Sequence, residues 1–395
     1  MEPASTPTRR ITSLDGLRGI AAVVVLVYHA LLVVPALAAA YFDEPVPQGV
    51  RWFVFTPAHI VWAGTEAVTV FFVLSGIAIT LPVLKAASFN WLAYYPSRLI
   101  RLYVPVAASV FLAIAFALAV PRVVTAGQSA WMDYHVYGIT PRTVLQDLIL
   151  VFGTTPMNSP LWSLQWEVIF SLLLPLYVWV AIKLRRHGLL LVAISVVVVA
   201  IASYIRPGSS GVMAQVTTAS TYLPVFMVGC AIAVRLSNGE MRSRDELAFH
   251  SRRWIGIVLL FVAVMSVTSH WWFAPFAGDP WTGLSSIMLL LGAIILVMLA
   301  VFWPPMVRFL NFAAVLWLGR VSFSLYLTHE PIVVSVGSLL PLELRWLTAV
   351  ISIPISFVVA WLFYRFVESP SHRLSQTIKQ RISSRSSHTA QALSS

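Results

Sequence analysis

Arg18 and His29 stand eleven positions apart in SLDGLRGIAAVVVLVYHALL. On a helix that spacing puts both on one face, within about 20° of each other and roughly 16 Å apart along the axis. A neutral imidazole is a general base suited to near-neutral pH. A guanidinium on the same face could hold an anion at a fixed distance from it. Asp15, three residues before Arg18, is placed to pair with it. A second pair of cations, Arg98 and Arg101 in WLAYYPSRLIRLYVP, is spaced i and i+3. Pro96 is placed to open a helix there, whose free N–H groups also favour anions. Acidic side chains inside apolar runs complete the set: Glu66 in AGTEAVTVFFVLSG, Glu167 in SPLWSLQWEVIFSLLLP, and Glu330 beside His329 in VSFSLYLTHEP, with Ser322, Ser324 and Tyr326 on the preceding turns. Structural roles stay open for each. Arginines anchor helix ends, and buried histidines, carboxylates and hydroxyls bind helices together.

The segments that carry these residues are built to enter lipid. The chain is 59% hydrophobic and 10% charged, which places it among polytopic membrane proteins. Apolar runs at 20–41, 59–83, 102–120, 161–182, 188–205, 221–234, 254–272, 282–303, 321–340 and 346–366 predict about ten spans. The first run lacks a small-residue cleavage site and is expected to stay as a span. With the N-terminus in the cytoplasm, only Arg51, Arg122, Arg142, Arg206 and Arg345 of the 26 Lys and Arg fall outside. So strong a bias predicts that both ends are cytoplasmic and that the number of spans is even. The net charge of +11 is thereby assigned to the inner membrane face, and no soluble basic domain accompanies it to suggest nucleic acid. The lone Cys230 excludes intramolecular disulfides and a cysteine metal cluster and reads as a packing residue.

The expected architecture is an all-α polytopic membrane protein, with about ten transmembrane helices around an internal polar cavity that opens inward at Arg18, Arg98 and Arg101. Residues 1–12 form an N-terminal segment, 13–368 the membrane domain, and 369–395 a basic, Ser-rich tail without structure or lying on anionic lipid. The outer segment 121–160 contains VLQDLILVF, too short to cross and expected to be re-entrant or interfacial, and 235–253 is a polar inner loop.

In this order, six stretches resemble the membrane-bound acyltransferase family 3, the bacterial integral-membrane O-acyltransferases. LDGLRGIAAVVVLVYH is similar to the opening motif of that family, FFVLSG to its second-span signature and PSRLIRLYVP to its paired-arginine signature. SPLWSLQWEVIF, LGRVSFSLYLTHEP and FVESP resemble its later motifs. One departure is Ser171, where members often carry tyrosine; it bears on local packing or hydrogen bonding. The resemblance implies a multi-pass protein of the bacterial inner membrane that takes cytoplasmic acyl-CoA, usually acetyl-CoA, as co-substrate. No tightly bound cofactor and no metal are implied. The acceptor would be a hydroxyl of a sugar, cell-envelope glycan or secondary metabolite. It further implies that His29 is catalytic and that Arg18, Arg98 and Arg101 hold the donor. Glu167 is expected to act with His29 in catalysis. Asp15, Glu66, Ser75, Trp162, Tyr326 and His329 are candidates for orienting the imidazole or holding the acceptor. Buried His and Glu in ten spans would also suit a proton-coupled transporter of a small or anionic solute, but no repeated halves or paired interrupted spans support that alternative.

Overall fold

The computed structural model describes residues 11–86, 88–237, 253–273, 275–276 and 281–394. Most of the expected N-terminal segment and inner loop 235–253 lie outside them. Helix is the only regular structure among the described residues, as lipid requires of a chain that must satisfy its own backbone polar groups. The long helices are α1 (Thr12–Leu32), α2 (Gly64–Lys85) and α3 (Trp91–Ala119). Two short helices follow, α4 (Ala130–Tyr134) and α5 (Pro141–Ile149). Next come α6 (Leu161–Lys183), α7 (Gly188–Ile205), α8 (Gly211–Ser237), α9 (Arg253–Val267) and α10 (Trp281–Phe302). The chain closes with α11 (Pro304–Leu310), α12 (Ala313–Leu339), α13 (Leu347–Phe363) and α14 (Ser369–Ser394).

Eight helices among the described residues are long and apolar enough to cross a membrane, and α11 with α12, bent by 65°, makes a ninth candidate. The expected span at 254–272 is instead the shorter helix α9 followed by a separate turn of helix at Ser269–Phe273. Apolar side chains face outward: α7 exposes Leu189, Leu190, Ile194, Val197 and Ile201. Polar ones turn inward, with His29, Glu66, Ser324, His329 and Glu330 all buried. That inversion of the usual soluble arrangement is what a lipid solvent selects.

Several boundaries differ from expectation for local reasons. The first span ends at Leu32 rather than 41, and Pro35 opens a separate short helix. Helix α3 starts well before Pro96, because Asn90 accepts from the Ala93 N–H and caps it at Trp91. Pro96 is therefore inside the helix, and the arginines do not stand at a helix N-terminus. The tail expected to lack structure is helical through Ser394, continuing from α13 through a π-turn at Tyr364–Glu368. Ser371 Oγ donates to Ile100 O at 3.0 Å and Ser375 Oγ to Ser97 O at 2.7 Å. Two serines one turn apart thus tie α14 to α3.

Helix α1 packs most extensively on α12. Gly19 and Gly319 meet at their crossing, where a Cβ on Gly19 would fall on the backbone of Gly319. Only glycine lets the two backbones approach this closely. Gly19→Ala is expected to lower the thermal midpoint of the purified protein through overpacking of at least ~1–3 kcal/mol. Gly49→Ala, where open space surrounds the added methyl group, should leave the midpoint unchanged.

Candidate active site

Near the far end of α1, His29 meets two consecutive residues of α12. His329 Nδ1 lies 2.8 Å from Leu325 O, and a carbonyl can only accept, so Nδ1 carries a proton. In the neutral ring Nε2 is then an acceptor, and His29 Nδ1, 2.8 Å away, donates to it. This assignment leaves His29 Nε2 without a proton, 3.4 Å from Glu330 Oε2. The tautomers follow from the network of partners. The result is a hydrogen-bonded line from the Leu325 carbonyl through two imidazoles, with the proton-free nitrogen at its end and the Glu330 carboxylate beside it.

Glu330 is fully buried and belongs to α12, but its donors come from the segment 121–160 between α3 and α6. Ser159 supplies its backbone N–H to Oε1 at 2.6 Å and its hydroxyl to Oε2 at 2.5 Å. His135 Nε2 is 2.9 Å from Oε1, and His135 Nδ1 donates to Trp131 O at 2.7 Å. With Nδ1 so committed, the His135–Glu330 contact needs a proton between them, as in an imidazolium–carboxylate pair. Pro331 helps seat this segment. Lacking an N–H, it leaves the Leu327 carbonyl without its helical partner, and Asn158 Nδ2 donates to that carbonyl at 2.9 Å. The segment is folded on itself by Asp147, which accepts from Thr155 N at 2.6 Å and Thr155 Oγ1 at 2.7 Å. Burial pushes the Asp147 carboxyl up to about 6.

A second charged group lies toward the opposite end of α1. Arg98 Nη2 is 2.6 Å from Glu167 Oε1, and Arg98 Nε donates to Ser171 Oγ at 3.2 Å. Arg101 is within electrostatic reach of Arg98, Arg18, Glu167 and Glu368. Glu368, on the π-turn, accepts from Ser324 Oγ at 2.5 Å. Three cations from two helices therefore converge, as their spacing predicts. Asp15 and Arg18 are both engaged with neighbours on this side.

Other residues singled out from the sequence fall elsewhere. Glu167 is not beside His29; its ion pair with Arg98 removes it from the imidazole, and Ser171, the departure noted above, adds a second bond to that arginine. Glu66 does not orient His29 either. It accepts from Trp271 Nε1 and Thr65 Oγ1, each at 2.8 Å. Ser75 is buried nine residues further along α2. Trp162 packs edge-on against Phe72 and beside Tyr222. Tyr326 is close to the histidine pair, its ring centroid 6.1 Å from that of His329, and its hydroxyl bonds Ser163 Oγ at 2.7 Å. His135 and Ser159 were not singled out from the sequence. Neither sits on a periodic apolar run, and nothing local marks them as partners of Glu330.

A family model described as an acyltransferase domain matches residues 11–365, a stretch that contains the histidine pair and all three arginines. The chain belongs to this family, acyltransferase family 3. No curated protein and no solved structure gives a significant match. The site presents a proton-free imidazole nitrogen beside a carboxylate. Glu330→Gln keeps the shape but removes the charge that both His135 and His29 face. It is expected to lower the turnover of acyl transfer by about 10²-fold or more, the scale of a lost general-base contribution. A wild-type rate from a folded variant, measured as thiol release, would return Glu330 to a packing role.

Proposed function

We propose that this acyltransferase is an integral-membrane O-acyltransferase of the bacterial inner membrane. It moves an acyl group, acetyl in the simplest case, from acyl-CoA to a hydroxyl of a sugar, cell-surface glycan or secondary metabolite. The observation that carries the proposal is the line Leu325 O–His329–His29–Glu330, which leaves His29 Nε2 as the basic atom.

In this reading, the phosphates of the donor bind Arg18, Arg98 and Arg101, because guanidiniums take phosphate oxygens in bidentate fashion. Along α1, the roughly 16 Å from Arg18 to His29 suits the pantetheine arm in rough magnitude. The acceptor hydroxyl gives its proton to His29 Nε2 as its oxygen bonds to the thioester carbonyl carbon. The imidazolium so formed is stabilised by Glu330, and His329 holds the ring in the competent tautomer. When the C–S bond breaks, the thiolate takes the proton back from His29. No acyl-enzyme is needed, and every group returns to its starting state. The donors to Glu330 come from the outer segment, at the end of α1 opposite the arginines. The acceptor is accordingly proposed to enter from that side, while the donor enters from the side of the positive charges.

His29→Ala is expected to lower acyl transfer by ~10²–10⁴-fold without unfolding the protein. Retained activity, measured with labelled acetyl-CoA and a panel of hydroxylated acceptors screened by mass spectrometry for one added acyl unit, would remove His29 from the chemistry. Arg101→Ala is expected to raise KM for acetyl-CoA about tenfold and to leave kcat within about twofold, the pattern of lost donor binding. An unchanged KM would return Arg101 to helix anchoring.

A further inference from the structure

Arg122 is one of few cations on the outer side, so membrane-face anchoring does not account for it. It follows α3 in a stretch without regular structure, and its neighbours Pro121, Val123 and Val124 are exposed. Its own side chain is turned inward. All three guanidinium nitrogens are buried and have no hydrogen-bond partner. A buried guanidinium without partners is among the costliest arrangements in a protein. Two more polar atoms of the same segment are buried and incompletely satisfied: Asn158 Oδ1, which has no partner, and the Tyr137 hydroxyl, which lies close to Thr155. Arg122 and Tyr137 are within electrostatic reach of each other and of Glu330. Asn158 adjoins Ser159, which bonds Glu330 directly.

The carboxylates nearby are already committed. Glu330 already accepts from Ser159 and His135, and Asp147 from Thr155. An oxyanion with a hydroxyl near it would satisfy these groups. A guanidinium and a phenol donate to the oxyanion, and Asn158 Oδ1 accepts from the hydroxyl.

We propose that Arg122, Tyr137 and Asn158 form the acceptor subsite and that the acceptor is acidic, carrying a carboxylate or phosphate close to the hydroxyl that is acylated. This rests on the acyl-transfer reading for the word acceptor, but anion binding at Arg122 does not.

The test uses the full-length protein in nanodiscs and reads the thermal midpoint with glucuronate, glucose 6-phosphate or glucose, at matched ionic strength. A ligand bound only by the folded state raises that midpoint. Glucuronate or glucose 6-phosphate should raise it, and the stronger of the two identifies carboxylate or phosphate as the group recognised. Glucose should not. In Arg122→Met the anion response should vanish, or need at least ~10-fold more ligand, and Arg122→Lys should recover part of it. Acetyl-CoA should still shift Arg122→Met, which shows that the variant is folded and its donor site intact. Equal anion responses in wild type and Arg122→Met, or no anion response in wild type, would overturn the subsite. Should acetyl-CoA fail to shift the wild type while the glucuronate response still depends on Arg122, the donor reading would fail and the anion site would stand.

Discussion

A carboxylate placed in a membrane-spanning helix cannot stay ionised unless the protein itself supplies what water would have given. Glu330 receives a backbone N–H and a hydroxyl from Ser159 and an imidazole N–H from His135, and stands 3.4 Å from His29 Nε2. Each of these neighbours constrains a piece of architecture. His29 fixes how far α1 slides along α12, and the glycine contact at Gly19 and Gly319 fixes how closely they approach. Ser159 and His135 fold the outer segment down over the helix ends. Pro331 reinforces the same arrangement by freeing a carbonyl that only Asn158 fills.

The second charged group answers to a different physics. Arg18, Arg98 and Arg101 gather cations at one membrane face, where like charges would separate unless something held them. Glu167 and Glu368 supply that restraint, each supported by its own network: Glu167 with Arg98 and Ser171 beside it, Glu368 with Ser324. The π-turn matters here because an extra residue in a helical turn re-aims the side chains that follow. Helix α1 links the two groups as a rigid rod, so their separation is set by residue count rather than by loop geometry.

Much of this was legible before the fold was known. The spacing of Arg18 and His29 gave a shared helix face, and that of Arg98 and Arg101 gave another, because helical periodicity is a local property. Apolar run lengths located nearly every span. What was not legible depended on distant pairing. Glu167 looked like a companion for His29 because both are ionisable groups in lipid; the choice between His29 and Arg98 as its partner is made by how α3 and α6 pack. His135 and Ser159 stand in a segment with no period to read. Pro96 resembles a helix start, but Asn90 offers a better cap six residues earlier. Ser371 and Ser375 sit in a stretch whose composition resembles disorder, and their bonds to α3 make it a helix.

The distances in sequence between the groups around Glu330 also set an order of assembly. Ser159 is made 171 residues before Glu330, His135 195 before it, and His29 300 before His329. A chain growing from its N-terminus therefore inserts α1 and the outer segment while their polar groups still lack partners, and completes them only when α12 enters the bilayer. Until then His29, His135 and Ser159 are exposed to water, lipid or the insertion machinery. The buried polar network is thus left open through most of synthesis and closes only when the ninth apolar segment is in place.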